Sequence, residues 1–352
     1  MKNAVVISIT LIFALAASVN AQSTFEKIFR VNNQSTEVNA VFPVADGFIL
    51  LSQHGEGIVN LTKLDLKGEF VEGRDIYNVK SGFVMSSSMT SSGSILITGV
   101  ATEDEDDESA KQKGFFIKAS TNLAVQAAFE FVPAAGNGDC WASGAIQTSD
   151  GAILILAKST VTSVFGVDNY FEIIKMNSSV TKVEWASAIL AGNENTVFDI
   201  TETGAGYEIY GAVKNKNTNW NLYLGTISKD GKTMYRQLIV GGQDWDGAYD
   251  IQEDAKRKVR NQASRIVQTG SSLTVAAYTN SYGSIFLLNV PVAGDSYNWT
   301  ALVDGNGEEK IFGPFGGGNI ISLKNGDLLL SGYTSSTGPK TPYPGGFLYR
   351  FE

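Results

Sequence analysis

The sequence predicts an all-β fold, a six-bladed β-propeller with four-stranded blades, and three observations predict it. A glycine-bearing turn followed by an apolar β run recurs six times along the chain. Glycine is abundant, at 37 of 352 residues, while long helix-forming stretches are scarce, the composition of a fold built on tight turns. The two ends of the chain are each a fragment of the repeat, and together they amount to one whole repeat.

The first 21 residues stand apart from the rest. One lysine (Lys2), an apolar run over 4–17 and the small-residue exit Val19-Asn20-Ala21 form the three-part pattern of a secretory signal peptide, with cleavage expected after Ala21. The apolar run is 14 residues long, short of the roughly 20 that span a bilayer. Residues 22–352 are then expected to fold as a single exported propeller domain, secreted and extracellular, with no membrane insertion.

The repeats follow in order. Ala45-Asp46-Gly47 precedes the β run 48–51, Ser92-Gly93 precedes 94–98, and Asp150-Gly151 precedes 152–156. Ala205-Gly206 precedes 207–210, Gly270 precedes 272–276, and Asn325-Gly326 precedes 328–331. The turn residues supply the positive φ of a hairpin, and the unbroken apolar run after each turn reads as a strand buried on both faces. The turn glycines are spaced by 46, 58, 55, 64 and 56 residues, longer than leucine-rich or ankyrin repeats and within reach of propeller blades. Each unit has a third strand downstream (62–66, 116–119, 173–176 and 225–228) and a fourth beyond it (183–186 and 234–238).

The ends complete the ring. After Gly326 only 26 residues remain, room for two strands, while 25 residues of the mature chain precede Gly47, more than one strand needs. The surplus at 25–31 resembles the missing fourth strand, and pairing it into the last blade removes an open sheet edge. The longest interval contains the charged stretch 252–262, read as an inserted excursion with a solvated surface. The alternative is a seventh blade around residues 244–270.

Two stretches carry a family resemblance: residues 241–251, beginning Gly241-Gly242-Gln243-Asp244-Trp245-Asp246-Gly247, and Asn325-Gly326 through Gly332-Tyr333-Thr334. They resemble the Asp-Gly-type propeller repeats of secreted bacterial and protist proteins. The resemblance runs over the whole mature chain and implies architecture alone, since such repeats sit in proteins of many functions.

The residue inventory excludes several chemistries. His54 is the single histidine, which rules out any two-imidazole mechanism, and its place after a β run reads as an exposed loop histidine. There is no Gly-x-Ser-x-Gly elbow, Walker loop or dinucleotide fingerprint. Cys140 is the only cysteine, so no intramolecular disulfide forms, and a buried, inert thiol is expected. The net charge of −9 becomes −10 when Lys2 is removed with the signal, a balance that repels phosphate backbones and excludes nucleic acid as a partner.

In a propeller, the connections from each fourth strand to the next first strand lie at the same end as those from second to third. The first set carries Asp139, Trp141, Asn195, Asp244, Trp245 and Asp246. Acids and amides beside indoles suit a glycan, whose ring stacks on Trp while its hydroxyls bond to Asp or Asn. The plainer reading is that Asp and Asn make the turns and Trp packs between blades. No cofactor is expected. The acidic run 103–108 offers Asp104, Asp106 and Asp107 as oxygen ligands for Ca²⁺, although it also reads as a solvated loop without a placed glycine. Four Asn-x-Ser/Thr sequons, at Asn33, Asn60, Asn177 and Asn298, are glycosylation sites if the source is a eukaryote. The leading expectation is a secreted, non-enzymatic binding or scaffold protein whose partner is an extracellular glycan or protein. The alternatives are a polysaccharide hydrolase or lyase working through carboxylates, and a structural component of an extracellular matrix or coat.

Overall fold

In the computed structural model the described residues are 36–55, 57–79, 82–102, 111–133, 138–163, 166–192, 194–214, 221–240, 266–278, 285–291, 298–301, 319–322, 328–334 and 345–351. They contain strands and turns and no helix, and they form six antiparallel sheets in chain order. Blade 1 is β1 (Thr36–Val44), β2 (Gly47–His54), β3 (Ile58–Asp65) and β4 (Phe70–Asn78). Blade 2 is β5 (Phe83–Met89), β6 (Ser94–Thr102), β7 (Gln112–Ser120) and β8 (Val125–Phe131). Blade 3 is β9 (Cys140–Gln147), β10 (Ile153–Ser163), β11 (Gly166–Met176) and β12 (Val183–Ile189). Blade 4 is β13 (Glu194–Glu202), β14 (Tyr207–Lys214), β15 (Asn221–Ile227) and β16 (Met234–Val240). Blade 5 is β17 (Ile266–Thr269), β18 (Ser272–Tyr278), β19 (Ile285–Pro291) and β20 (Asn298–Ala301). The sixth sheet has three strands, β21 (Asn319–Ser322), β22 (Leu328–Thr334) and β23 (Gly345–Phe351). The strand expected at 25–31, and the stretch 241–265 where the insertion or a seventh blade was expected, lie outside the described residues.

The first strand of each blade meets the first strand of the next, β1 with β5, β5 with β9, β9 with β13, β13 with β17 and β17 with β21, which places these strands innermost. The fold is a β-propeller.

The apolar runs follow from this stacking. Ile49, Leu51, Val59 and Leu61 of blade 1 pack on Ile95, Ile97, Phe115 and Ile117 of blade 2. The alternate residues of blade 2, Leu96 and Phe116, pack on Ile153, Ile155 and Ile174 of blade 3. Leu154, Leu156, Phe171 and Ile173 on the other side of blade 3 meet Tyr207, Ile209 and Tyr223 of blade 4. A second or third strand is therefore sandwiched between two neighbours, and successive residues are apolar rather than alternate ones. Ile95, Leu96 and Ile97 are all at most 1% exposed. At about 1.5–3 kcal/mol for each fully buried aliphatic side chain, these inter-blade layers are the main source of stability.

The repeat also extends to irregularities. Inner strands β1, β5, β9 and β13 each carry a bulge, at Asn39, Met85, Ser143 and Phe198. One extra residue bends the strand at the same depth in each blade. The turns joining third to fourth strands share one design as well. Asp65 accepts hydrogen bonds from the Lys67 and Glu69 amides, and Ser120, Asn177 and Ser228 take the same role in blades 2, 3 and 4. In blades 2 and 3 the left-handed position of this turn is held by Leu123 and Val180, both at φ 58° and both buried.

At the end bearing the first-to-second-strand hairpins, a carboxylate ties blade 4 to blade 3 and ion pairs brace each blade. Glu202 accepts the Ser149 amide and hydroxyl and pairs with Lys229 at 2.8 Å. Lys175 Nζ lies 2.6 Å from Asp150 and 3.6 Å from Glu184. Hydrogen bonds from Lys175 and Thr148 hold the Asp150 carboxyl down to about 2. Because its folded value is below its unfolded one, this stabilisation is complete above about pH 4 and is lost as pH falls toward 2. Asp150 is 56% exposed, so screening reduces the gain to about 1 kcal/mol. Urea midpoints are expected to fall less between pH 4 and pH 2 in Asp150→Asn than in the wild type; parallel curves would contradict the assignment.

Candidate binding end at blades 3 and 4

The opposite end of the propeller carries Asp139, Trp141 and Asn195 of the residues singled out from sequence. Asp139 directly precedes β9. Its amide donates to Thr160 Oγ1 at 2.8 Å, the Thr160 amide donates to its carbonyl at 2.9 Å, and its carboxylate accepts the Gln112 amide at 2.9 Å. One residue thus fastens the start of β9 to β10 in its own blade and to β7 in the blade before it. Trp141 stands within β9 rather than in a loop, half-buried, and pairs across to Lys158 of β10. The Lys158 ammonium lies 5.2 Å from the centroid of the indole ring, and the lysine is 7% exposed. A desolvated cation–π contact of this kind contributes about 2 kcal/mol and fixes the tilt of the ring.

On its other side Lys158 pairs with Phe171, and Asn169 follows two residues earlier on β11, so Trp141, Lys158, Asn169 and Phe171 share the face of blade 3 that is turned to blade 4. Asn195, expected to contact a ligand, is fully buried in β13. Its amide nitrogen donates to the Asn169 and Gly192 carbonyls and its oxygen accepts the Ala191 amide, so it joins the two blades and presents no surface. The expectation for Asn195 is corrected accordingly. Asp244, Trp245 and Asp246 lie outside the described residues, as do Asp104, Asp106 and Asp107. Among the described residues no group of three or more His, Cys, Asp or Glu is placed to hold a metal ion, and no helix is long and apolar enough to cross a membrane.

His54 also departs from expectation. It ends β2, is 2% exposed, and its Nε2 lies 2.9 Å from Asp75 Oδ1. Asn60 donates to the same carboxylate oxygen at 2.8 Å, and Thr62 donates to Asn60 Oδ1 at 2.8 Å. Burial pushes the Asp75 carboxyl up, but the hydrogen bonds from His54 and Asn60 outweigh it and hold the group below its ordinary range. The imidazole was expected in a loop because a polar residue ends an apolar run; the partner that buries it is 21 residues away, on β4. Asn60, a candidate sequon, is 3% exposed with its amide committed to Asp75, so the folded chain offers no access for a glycan there. Asn177 holds its turn through Thr181 and Lys182 and donates to Ser179 and Thr181. Asn298 begins β20, and Asn33 lies outside the described residues. Cys140 is buried, and burial, with Glu172 nearby, pushes its thiol up to about 12, the condition of an inert thiol.

No protein-family model matches the chain, and no curated protein matches it by sequence. Solved structures do. Hydrazine synthase of Kuenenia stuttgartiensis is similar at 10% identity and TM-score 0.51, over 82% of this chain and 72% of that one. The sialidase of Trypanosoma rangeli, solved with the inhibitor DANA, is similar at 10% identity and TM-score 0.51, over 86% of this chain and 53% of that one, so the chain spans about half the sialidase. A lectin of Burkholderia pseudomallei is similar at 8% identity and TM-score 0.51, over 86% of this chain and 79% of that one. Identities this low speak to architecture alone. What the chain shares with these proteins is the β-propeller fold.

Proposed function

We propose that this chain is an exported, non-enzymatic binding protein that takes a glycan at the end of the propeller bearing Trp141. The observation that carries the reading is the indole itself: half-buried, locked from below by Lys158, and set on an innermost strand. A rigid aromatic face of this kind suits the apolar face of a sugar ring. Export rests on the signal pattern of residues 1–21. Fellow propellers include a sialidase and a lectin, which places glycan chemistry within the range of the fold. The hydrolytic alternative needs two carboxylates about 5–9.5 Å apart across the scissile bond. Asp139, its described candidate, already accepts the Gln112 amide as a strut between blades, which favours binding over acid–base work.

On an oligosaccharide array the wild type is expected to bind at least one glycan class. Trp141→Ala is expected to weaken that binding at least about tenfold, equivalent to about 1.4 kcal/mol, while the lost Lys158 contact lowers Tm by only a few degrees, on the order of 5 °C. A wild type that binds nothing on the array sinks the reading.

A further inference from the structure

Among the outer strands, that of blade 1 stands apart. No described strand pairs with the free edge of β4. Such an edge offers a row of backbone donors and acceptors to another chain, and proteins commonly blunt it with charged side chains or bulges. The outer strands β8, β12 and β16 carry one charged residue each, Glu130, Glu184 and Arg236, and β20 carries none. β4 carries both signs, with Glu72 and Arg74 on either side of Gly73. Both side chains are exposed, and neither makes an ion pair among the described residues. Val71 and Ile76 are the extra residues of two bulges against β3, and the four residues 72–75 between them run in register. Leu66, Phe70 and Val71, each more than half exposed, gather at the start of the strand. The Phe70 ring already lies over Gly73, with Cε2 at 3.2 Å from where a Cβ would stand.

We infer that the edge of β4 is a self-association surface whose partner is β4 of a second copy of this chain, paired antiparallel about a two-fold axis through Gly73. In that register Glu72 faces Arg74 of the partner subunit, and Arg74 faces Glu72 of the partner subunit. Residues directly opposite share one face of the sheet, so the four charges form a square with a guanidinium across from each carboxylate. The two glycines meet on the other face, where the Phe70 ring of each copy covers the bare backbone beside the axis. Asp75 takes no part, because its carboxylate is turned to His54 and Asn60. A two-fold contact uses up the same edge in both copies, and the bulges confine it to a short run, so association closes at the dimer instead of growing into a fibre. The surface is separate from the glycan reading, since β4 and Trp141 belong to different blades.

The test is sedimentation equilibrium of the full mature chain at about 1–100 µM, a range suited to a short interface. The wild type is expected to approach twice the monomer mass as its concentration rises. Glu72→Arg and Arg74→Glu each set like charges across the axis, twice over, and each is expected to weaken the dimer at least about tenfold. Both side chains are exposed, so Tm should stay within about 3 °C of the wild type. An equimolar mixture of the two variants restores opposite charges at both pairs and is expected to dimerise to within about threefold of the wild type. The chain carrying both exchanges is self-complementary again and is expected to do the same. A wild type that stays monomeric throughout the range overturns the inference, as does a dimer that the single charge reversals leave intact. Two weakened variants whose mixture remains monomeric overturn it as well, because their charges then do not meet across the axis.

Discussion

Gly47→Ala is expected to destabilise the protein by about 3 kcal/mol or more, while the same change at Gly151 costs about 1 kcal/mol. Both glycines follow an Asp in the first-to-second-strand hairpin, and by sequence they are equivalent. Gly47 sits at φ 152°, and a Cβ there would stand 1.9 Å from the Leu64 carbonyl oxygen, on backbone that is paired in β3. Relief requires β2 and β3 to separate at the turn. Gly151 sits at φ 82°, and its Cβ would meet nothing nearer than Ser178 Cβ at 3.8 Å, so only the left-handed backbone is strained. Gly206 copies Gly47, at φ 154° and 2.2 Å from the Ile227 carbonyl oxygen. Urea unfolding of the two alanine variants distinguishes the cases, and equal losses would show that the hairpins are alike after all.

His54→Ala is the second change expected to be large, at about 2–4 kcal/mol. It removes a buried ring, leaves a cavity against β3 and β4, and takes one of two donors from Asp75. Asp75→Ala strands two buried donors, His54 and Asn60, at once and should cost a similar amount. Because both substitutions remove the same bond, the double variant is expected to lose clearly less than the two single losses combined. Additive losses in a double-mutant cycle would show that the two side chains act independently.

The parts of the fold legible in sequence are those encoded by neighbouring residues. Asp46-Gly47 and Asp150-Gly151 announce hairpins locally, and the runs after them are apolar at every position because blades press on both faces. The difference between Gly47 and Gly151 is not local, since it depends on how closely the third strand passes. The same holds for the inner-strand bulges: nothing in the residue types of Asn39, Met85 and Ser143 marks them as equivalent. Leu123 and Val180 conceal a turn whose left-handed position a sequence reader assigns to glycine or asparagine.

The candidate site was legible in the same uneven way. Trp141 stood out as an indole beside an acid, and it does reach partial exposure. Asn195 was chosen for its residue type, but its hydrogen bonds run inward to blade 3. Lys158 was missed because it is a polar residue within a strand, and only the register of β9 and β10 brings it beside Trp141. Strand pairing between residues 17 positions apart is the information that the linear pattern lacks.

Hydroxyl-radical footprinting with and without the tightest-binding array oligosaccharide tests directly which end of the propeller receives the ligand. The account predicts protection of Trp141 and of the adjoining segments at the starts of β9 and β11, with Glu202, Lys229 and the hairpin at Asp150 unchanged. Protection at that hairpin end, with Trp141 as reactive as in the free protein, would contradict it.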